Sequence, residues 1–140
     1  MKNDLPRILV IDAQGGGIGR QLVSLIKKEL PSLTVTAVGA NSAATSNMLK
    51  AGADIGATGE NAVITGCRRN DVIIGPIGIT MADSMNGEIT PAMALAVAQS
   101  EASKILIPFN TCDHILVGTT KLSPGKLVPE AVEELKKLIG

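Results

Sequence analysis

The chain has 140 residues, 45% of them hydrophobic and 19% charged, and its 13 Lys and Arg balance 13 Asp and Glu to give no net charge. That length suits one domain with a core of its own, the apolar content excludes intrinsic disorder, and the charge balance argues against a nonspecific nucleic-acid binder. Phe109 is the sole aromatic residue, so there is no platform for stacking bases and no tyrosine to serve as a catalytic phenol.

Cys67, Cys112 and His114 are too few for a disulfide framework or a Cys/His zinc site, so no metal is expected. Residues 1–7 lead into an apolar run too short for a signal peptide or a membrane span, and a cytoplasmic protein with no membrane partner is the expectation.

Ile8 to Ile11 is a continuous apolar, β-branched run closed by Asp12 and a glycine cluster, the pattern of a strand buried on both faces. Ile18, Leu22, Leu25, Ile26 and Leu30 then recur at helical spacing until Pro31. Leu33 to Val38 reads as a second strand, and Asn41 or Ser42 caps a helix that runs to Gly52. Asp54 to Glu60 reads as loop. Asn61 to Arg69 is ambiguous and is assigned helix, because the buried strand Asp71 to Gly75 needs a crossover before it.

A loop or short helix follows Gly75-Pro76 as far as Met85, and Thr90-Pro91 opens a helix to about Ser100. Lys104 to Pro108 is a further buried strand and His114 to Val117 a last short strand candidate. Pro129 to Ile139 is a final helix with Val132, Leu135 and Ile139 facing inward. Strands alternating with helices predict a doubly wound α/β fold, a single Rossmann-like domain with an open parallel sheet in a three-layer sandwich. In such folds ligands bind where the strand order reverses, here expected between Ile8 to Asp12 and Asp71 to Gly75.

The loop Asp12-Ala13-Gln14-Gly15-Gly16-Gly17-Ile18-Gly19-Arg20 is the strongest functional signal. Its glycines permit positive φ and close approach, and the helix beginning near Gly17 aims N–H groups and partial positive charge at whatever lies above, with Arg20 as a further partner for an anion. G-x-G-x-x-G fails, a Walker loop fails for want of Gly-Lys-Ser/Thr, and the G-x-x-x-G-x-G of short-chain dehydrogenases fits except for Ala13. The bland alternative is a tight turn with no ligand. A dinucleotide site usually adds an acid at the end of the second strand, where this chain has only Gly39-Ala40-Asn41-Ser42, and capping is the favoured role of the last two.

Ala57-Thr58-Gly59-Glu60-Asn61 reads as a capping turn or a second loop over the crevice, and Gly75-Pro76-Ile77-Gly78 as the wall opposite the glycines. Asp83, Ser84, Asn86 and Glu88 beyond it read as solvated. Asn110-Thr111-Cys112-Asp113-His114 places a thiol near an imidazole, but a structural thiol is favoured for want of a group to orient the base.

Taken together, DAQGGGIGRQL, NSAATSNMLKAGA, GATGENAV, DVIIGPIGI, GEITPAMALA and KILIPFN resemble an uncharacterised family of small bacterial proteins, a domain of unknown function, from about Ile8 to Gly118. The resemblance implies a Rossmann-like fold and no assigned activity. Its first motif usually has glycine where this chain has Ala13, which bears on how tight the turn is.

The leading expectation is a protein that binds a nucleotide, dinucleotide or similar phosphorylated small molecule through Gly15, Gly16, Gly17, Ile18, Gly19 and Arg20. Asn41, Ser42, Thr58 and Gly78 are secondary contacts. The rivals are a small enzyme, a reduced oxidoreductase or a transferase, drawing on Asp12, Glu60, Asn110 or Cys112, and an oligomeric structural subunit with a vestigial loop. No spacing forces an acid and a base together, which favours binding over catalysis. Ile89 to Ser100 carries no charge, which predicts a homo-oligomer packed on this helix unless Asp54 to Arg69 or the C-terminal helix covers it.

Overall fold

The computed structural model describes residues 5–108, 114–119 and 123–140. Its elements in chain order are β1 (Arg7–Asp12), α1 (Gly17–Glu29), β2 (Thr34–Gly39), α2 (Ser42–Lys50), β3 (Ile55–Thr58), α3 (Glu60–Arg69), β4 (Val72–Pro76), a 3₁₀ turn (Ile77–Thr80), α4 (Pro91–Gln99), β5 (Ser103–Ile107) and α5 (Pro124–Ile139). The strands form one parallel sheet in the order β3-β2-β1-β4-β5.

β1 is central, and its unbroken apolar run follows from that position. Ile8 and Val10 join the core beneath α1, α2 and α5, while Leu9 and Ile11 join the core beneath α3 and α4. The result is the doubly wound, Rossmann-like three-layer arrangement. Strand order reverses between β1 and β4, where Ile8, Leu9 and Val10 pair with Val72, Ile73 and Ile74. The segments leaving the carboxyl ends of these two strands therefore part above the sheet and open a crevice.

The helix starts follow from local chemistry. Asn41 Oδ1 accepts the Ala44 N–H at 2.9 Å and caps α2. Thr90 Oγ1 accepts the Met93 N–H at 3.1 Å, with Pro91 at the first position of α4. The ambiguous segment after residue 60 is the helix α3.

Four expectations fail. The strand expected to be buried at Lys104 to Pro108 is β5, which lies at the sheet edge paired on one side only to β4, with Ile107 its one buried residue. The segment Asp54 to Glu60, read as loop, contains β3, an edge strand made by backbone pairing of Thr36 to Gly39 with Ile55 to Thr58 rather than by a buried side-chain pattern. His114 to Val117 is not a strand: Ile115 and Val117 are 87% and 96% exposed and have no sheet to join. The last helix begins at Pro124, so Pro129 lies inside it and withholds the N–H that would meet the Gly125 carbonyl.

Candidate functional site

β1 delivers Asp12 to the crevice and the chain then turns sharply. The Gly16 N–H closes the turn on the Ala13 carbonyl at 2.9 Å, with Gln14 and Gly16 at φ of 51° and 70°. Gly16 is required twice over, because a Cβ there meets the Ala44 Cα of α2 at 2.9 Å in addition to the positive φ. Ala13 keeps a negative φ and its methyl packs in the core with Ile11 and Val38, so the turn is tight without glycine at that position.

The Asp12 side chain is buried and reaches under the turn. Its Oδ1 accepts the Ala13 N–H at 2.8 Å and its Oδ2 the Gly19 N–H at 2.7 Å. Burial pushes the carboxyl above its ordinary range, and the charge of Glu88 adds to this. The N–H groups of Gly19, Ala13 and Ile18 pull the other way without reversing it.

Two amide side chains from the α2 region and one carboxylate from a distant segment clamp the turn from outside. Asn47 Nδ2 donates to the Gly15 carbonyl at 2.8 Å and Asn41 Nδ2 to the Gln14 carbonyl at 2.9 Å. Glu88 Oε1 accepts both the Gln14 N–H and the Asn41 amide at 2.8 Å. Glu88 arrives on a strap, residues 81–89, that follows the 3₁₀ turn and crosses from the β4 side of the crevice. Asp83, Met85, Asn86 and Gly87 all have positive φ, and the Asp83 N–H is bonded to the Ile89 carbonyl at 2.7 Å.

Between turn and strap lies a cavity of about 280 Å³ walled by Asp12, residues 13–18, Gln21, Pro76 and Met85. Among the described residues nothing accepts from the N–H groups of Gly15 and Gly17. Gly17, the first residue of α1, has open space where a Cβ would project.

The family model for a domain of unknown function, DUF3842, matches residues 7–140. The chain belongs to the DUF3842 family. No curated protein matches it. Among solved structures it is similar to the dodecameric FMN-dependent UbiX-like decarboxylase from Escherichia coli O157:H7, at 18% identity and a TM-score of 0.47, over 93% of this chain and 75% of that one. So distant a likeness is no argument for a shared ligand or reaction.

In this DUF3842 chain Gly15, Gly16, Gly17 and Ile18 stand in the cavity wall. Gly19 lies behind it, against Asp12, and Arg20 is exposed on α1 outside the wall. Asn41 caps α2 and braces the turn, and Ser42 is exposed at the first position of α2. Thr58 ends β3 with its hydroxyl 2.7 Å from that of Thr45, away from the cavity. Gly78 is buried under the strap, its carbonyl accepting the Ser84 hydroxyl at 2.5 Å, and Pro76 supplies the wall expected of it.

Asp12 is in the wall, whereas Glu60 Oε2 is bound to the Thr90 hydroxyl at 2.6 Å. Asn110, Thr111, Cys112 and Asp113 lie outside the described residues. Burial raises the Cys67 thiol to about 11, which suppresses its thiolate. No group of three or more His, Cys, Asp or Glu that would hold a metal occurs among the described residues, and none of their helices is long and apolar enough to cross a membrane.

The residues that sequence reasoning missed are Gln21 and Met85 in the cavity wall, and Asn47 and Glu88, which brace the turn. Glu88, expected to be solvated, is instead bound to Gln14 and Asn41, 74 and 47 residues away.

Proposed function

We propose that this protein binds a small phosphorylated molecule, of the nucleotide or dinucleotide kind, in the cavity above the glycine turn. The observation that carries the reading is the pair of N–H groups at Gly15 and Gly17, without acceptors among the described residues, at the positive end of the 13-residue helix α1 and in the wall of a cavity. Such an end favours an anion, and the reversal of strand order is where doubly wound folds hold ligands.

Asp12 supports a catalytic reading of the same cavity, because it is a buried acid of raised pKa in the wall. Both of its oxygens are committed to backbone N–H groups, however, so its evident work is to hold the turn. Binding is therefore preferred to turnover. Native mass spectrometry of freshly purified protein tests the proposal: the expected result is a carried-over mass that is lost in Gly17→Val, and a retained mass in that variant counts against this cavity.

We also propose that copies of the chain associate through α4. Met93, Ala94 and Val97 face the core and α3 lies alongside, yet Leu95 remains 55% exposed on a helix with no charged side chain.

A further inference from the structure

We propose that residues 81–89 form a lid over the cavity, latched shut by Glu88, with Met85 as the side chain that gates entry. The strap is a closed unit: the Asp83 N–H meets the Ile89 carbonyl at 2.7 Å, the Ile89 N–H the Ser84 carbonyl at 3.3 Å, and the Gly87 N–H the Asp83 carbonyl at 3.1 Å. A loop with its ends side by side and its bonds internal is able to move as one body. Both ends stand on the β4 side of the crevice, where the 3₁₀ turn enters and α4 leaves, and buried Ile89 roots one of them in the core. On the other side a single atom holds the strap. Glu88 Oε1 accepts the Gln14 N–H and the Asn41 amide, each at 2.8 Å, and among the described residues no other hydrogen bond joins the strap to the glycine turn or to the start of α2.

Between its ends the strap is poorly rooted. Ala82, Asp83, Asn86 and Gly87 are exposed, and of residues 82–88 only Met85 packs against a core cluster. A segment with so little buried apolar surface opens more readily than the sheet beneath it. Its backbone also works against closure. Asp83, Met85 and Asn86 sit at φ of 66°, 56° and 58°, and whereas Asp and Asn tolerate the left-handed region, Met85 has no short polar side chain to offset the crowding there. Strain of this kind persists only where neighbouring contacts enforce it, and it collects in clamps and switch segments.

The enforcing contacts lead back to the latch. The Met85 carbonyl accepts the Glu88 N–H at 3.2 Å, so Glu88 acts directly on the strained turn, and the Met85 methyl lies so close to Gly78 that a Cβ there would stand 2.8 Å from it. Met85 is the strap's part of the cavity wall, shared with Pro76 and the glycine turn. When Glu88 lets go, the strain is released, the strap swings about its rooted ends, and the flexible thioether leaves the wall. The gate controls access whatever molecule the cavity takes.

The test reads opening as access. Gln21→Cys puts a thiol in the cavity wall of the full chain, Cys112→Ser removes a competing thiol, and buried Cys67 has its thiolate suppressed. Labelling by a maleimide is expected to be slower than that of a free thiol, and at least about tenfold faster once Glu88→Ala removes the two bonds to a charged acceptor. Met85→Ala should speed it as well. In Glu88→Ala, hydrogen exchange at the Ser84 and Gly87 amides should quicken while that of β1 and β4 is unchanged. Quicker strap exchange with unchanged labelling makes the strap a brace and overturns the lid, as does a Glu88→Ala variant that alters neither; labelling unaffected by Met85→Ala overturns the gate. If Glu88→Ala fails to fold, the latched protein decides alone. A slow labelling rate that dilute denaturant leaves unchanged marks local opening of the strap, whereas the rate of a free thiol, or labelling only on global unfolding, overturns the lid.

Discussion

The Asp12 side chain accepts the Gly19 N–H at 2.7 Å, so the chain itself occupies the inner side of the first turn of α1 and leaves only the outer N–H groups for a ligand. This bond joins the end of β1 to the start of α1 and fixes the turn between them.

Asp12→Asn should therefore destabilise the protein, since an amide presents only one acceptor oxygen to the two N–H groups now satisfied; the expected loss at neutral pH is about 1–3 kcal/mol. Burial raises the Asp12 pKa in the folded state, so the group's contribution to stability is greatest below its unfolded value of ~3.9 and declines as pH rises through the folded value. The deficit of the variant should accordingly widen as the pH falls from neutral. Denaturant unfolding at several pH values checks this, and a deficit that shrinks on acidification contradicts it.

Adjacent glycines of the turn should respond in opposite ways to substitution. Gly17→Val adds a side chain into open space at an ordinary φ and should leave stability within about 1 kcal/mol of wild type while filling the cavity mouth. Gly16→Ala forces a Cβ to 2.9 Å from the Ala44 Cα at a φ of 70°, at a cost of at least about 1–2 kcal/mol. Thermal melting of the pair distinguishes them, and equal melting temperatures would be a contrary result.

These two glycines show how far the sequence could be read. Hydrophobic runs and caps announce themselves locally, and β1, β2, β4, β5 and the capped starts of α2 and α4 were legible for that reason. β3 was not, because Ile55-Gly56-Ala57-Thr58 owes its strand to pairing with β2 and buries little of its own. The C-terminal helix starts five residues before its expected start because two prolines, 124 and 129, carry the same start signal. Glu88 had no local signature at all: its contacts to Gln14 and Asn41 exist only once the strap has crossed the crevice.

Asp54 should show the opposite pH behaviour from Asp12. Its carboxylate accepts the Val35 N–H at 2.8 Å and the Lys27 ammonium at 2.9 Å, and these hold its pKa below the ordinary value, the Val35 bond most strongly. The stability it adds is present above the unfolded value of ~3.9 and lost as pH falls through the folded one. Asp54→Asn should be less stable than wild type at neutral pH and converge with it in acid. A constant difference across that range would show that the charge plays no part.

On α4, neighbouring substitutions separate assembly from folding. Leu95→Glu charges an exposed position and should lower the mass seen by light scattering without unfolding the chain. Ala94→Glu buries a charge in the core and should unfold it. A monomeric wild type at micromolar concentration whose mass Leu95→Glu leaves unchanged would reject association through this face.

The central claim, a phosphate held over the glycine turn, is tested most directly by backbone amide NMR during titration with AMP and ribose 5-phosphate to millimolar concentration. Saturable shifts are expected to be largest at Gly15 and Gly17, whose N–H groups lack acceptors among the described residues, and to be lost in Gly17→Val. Absence of shifts with both probes, or shifts concentrated elsewhere and retained in Gly17→Val, would contradict it.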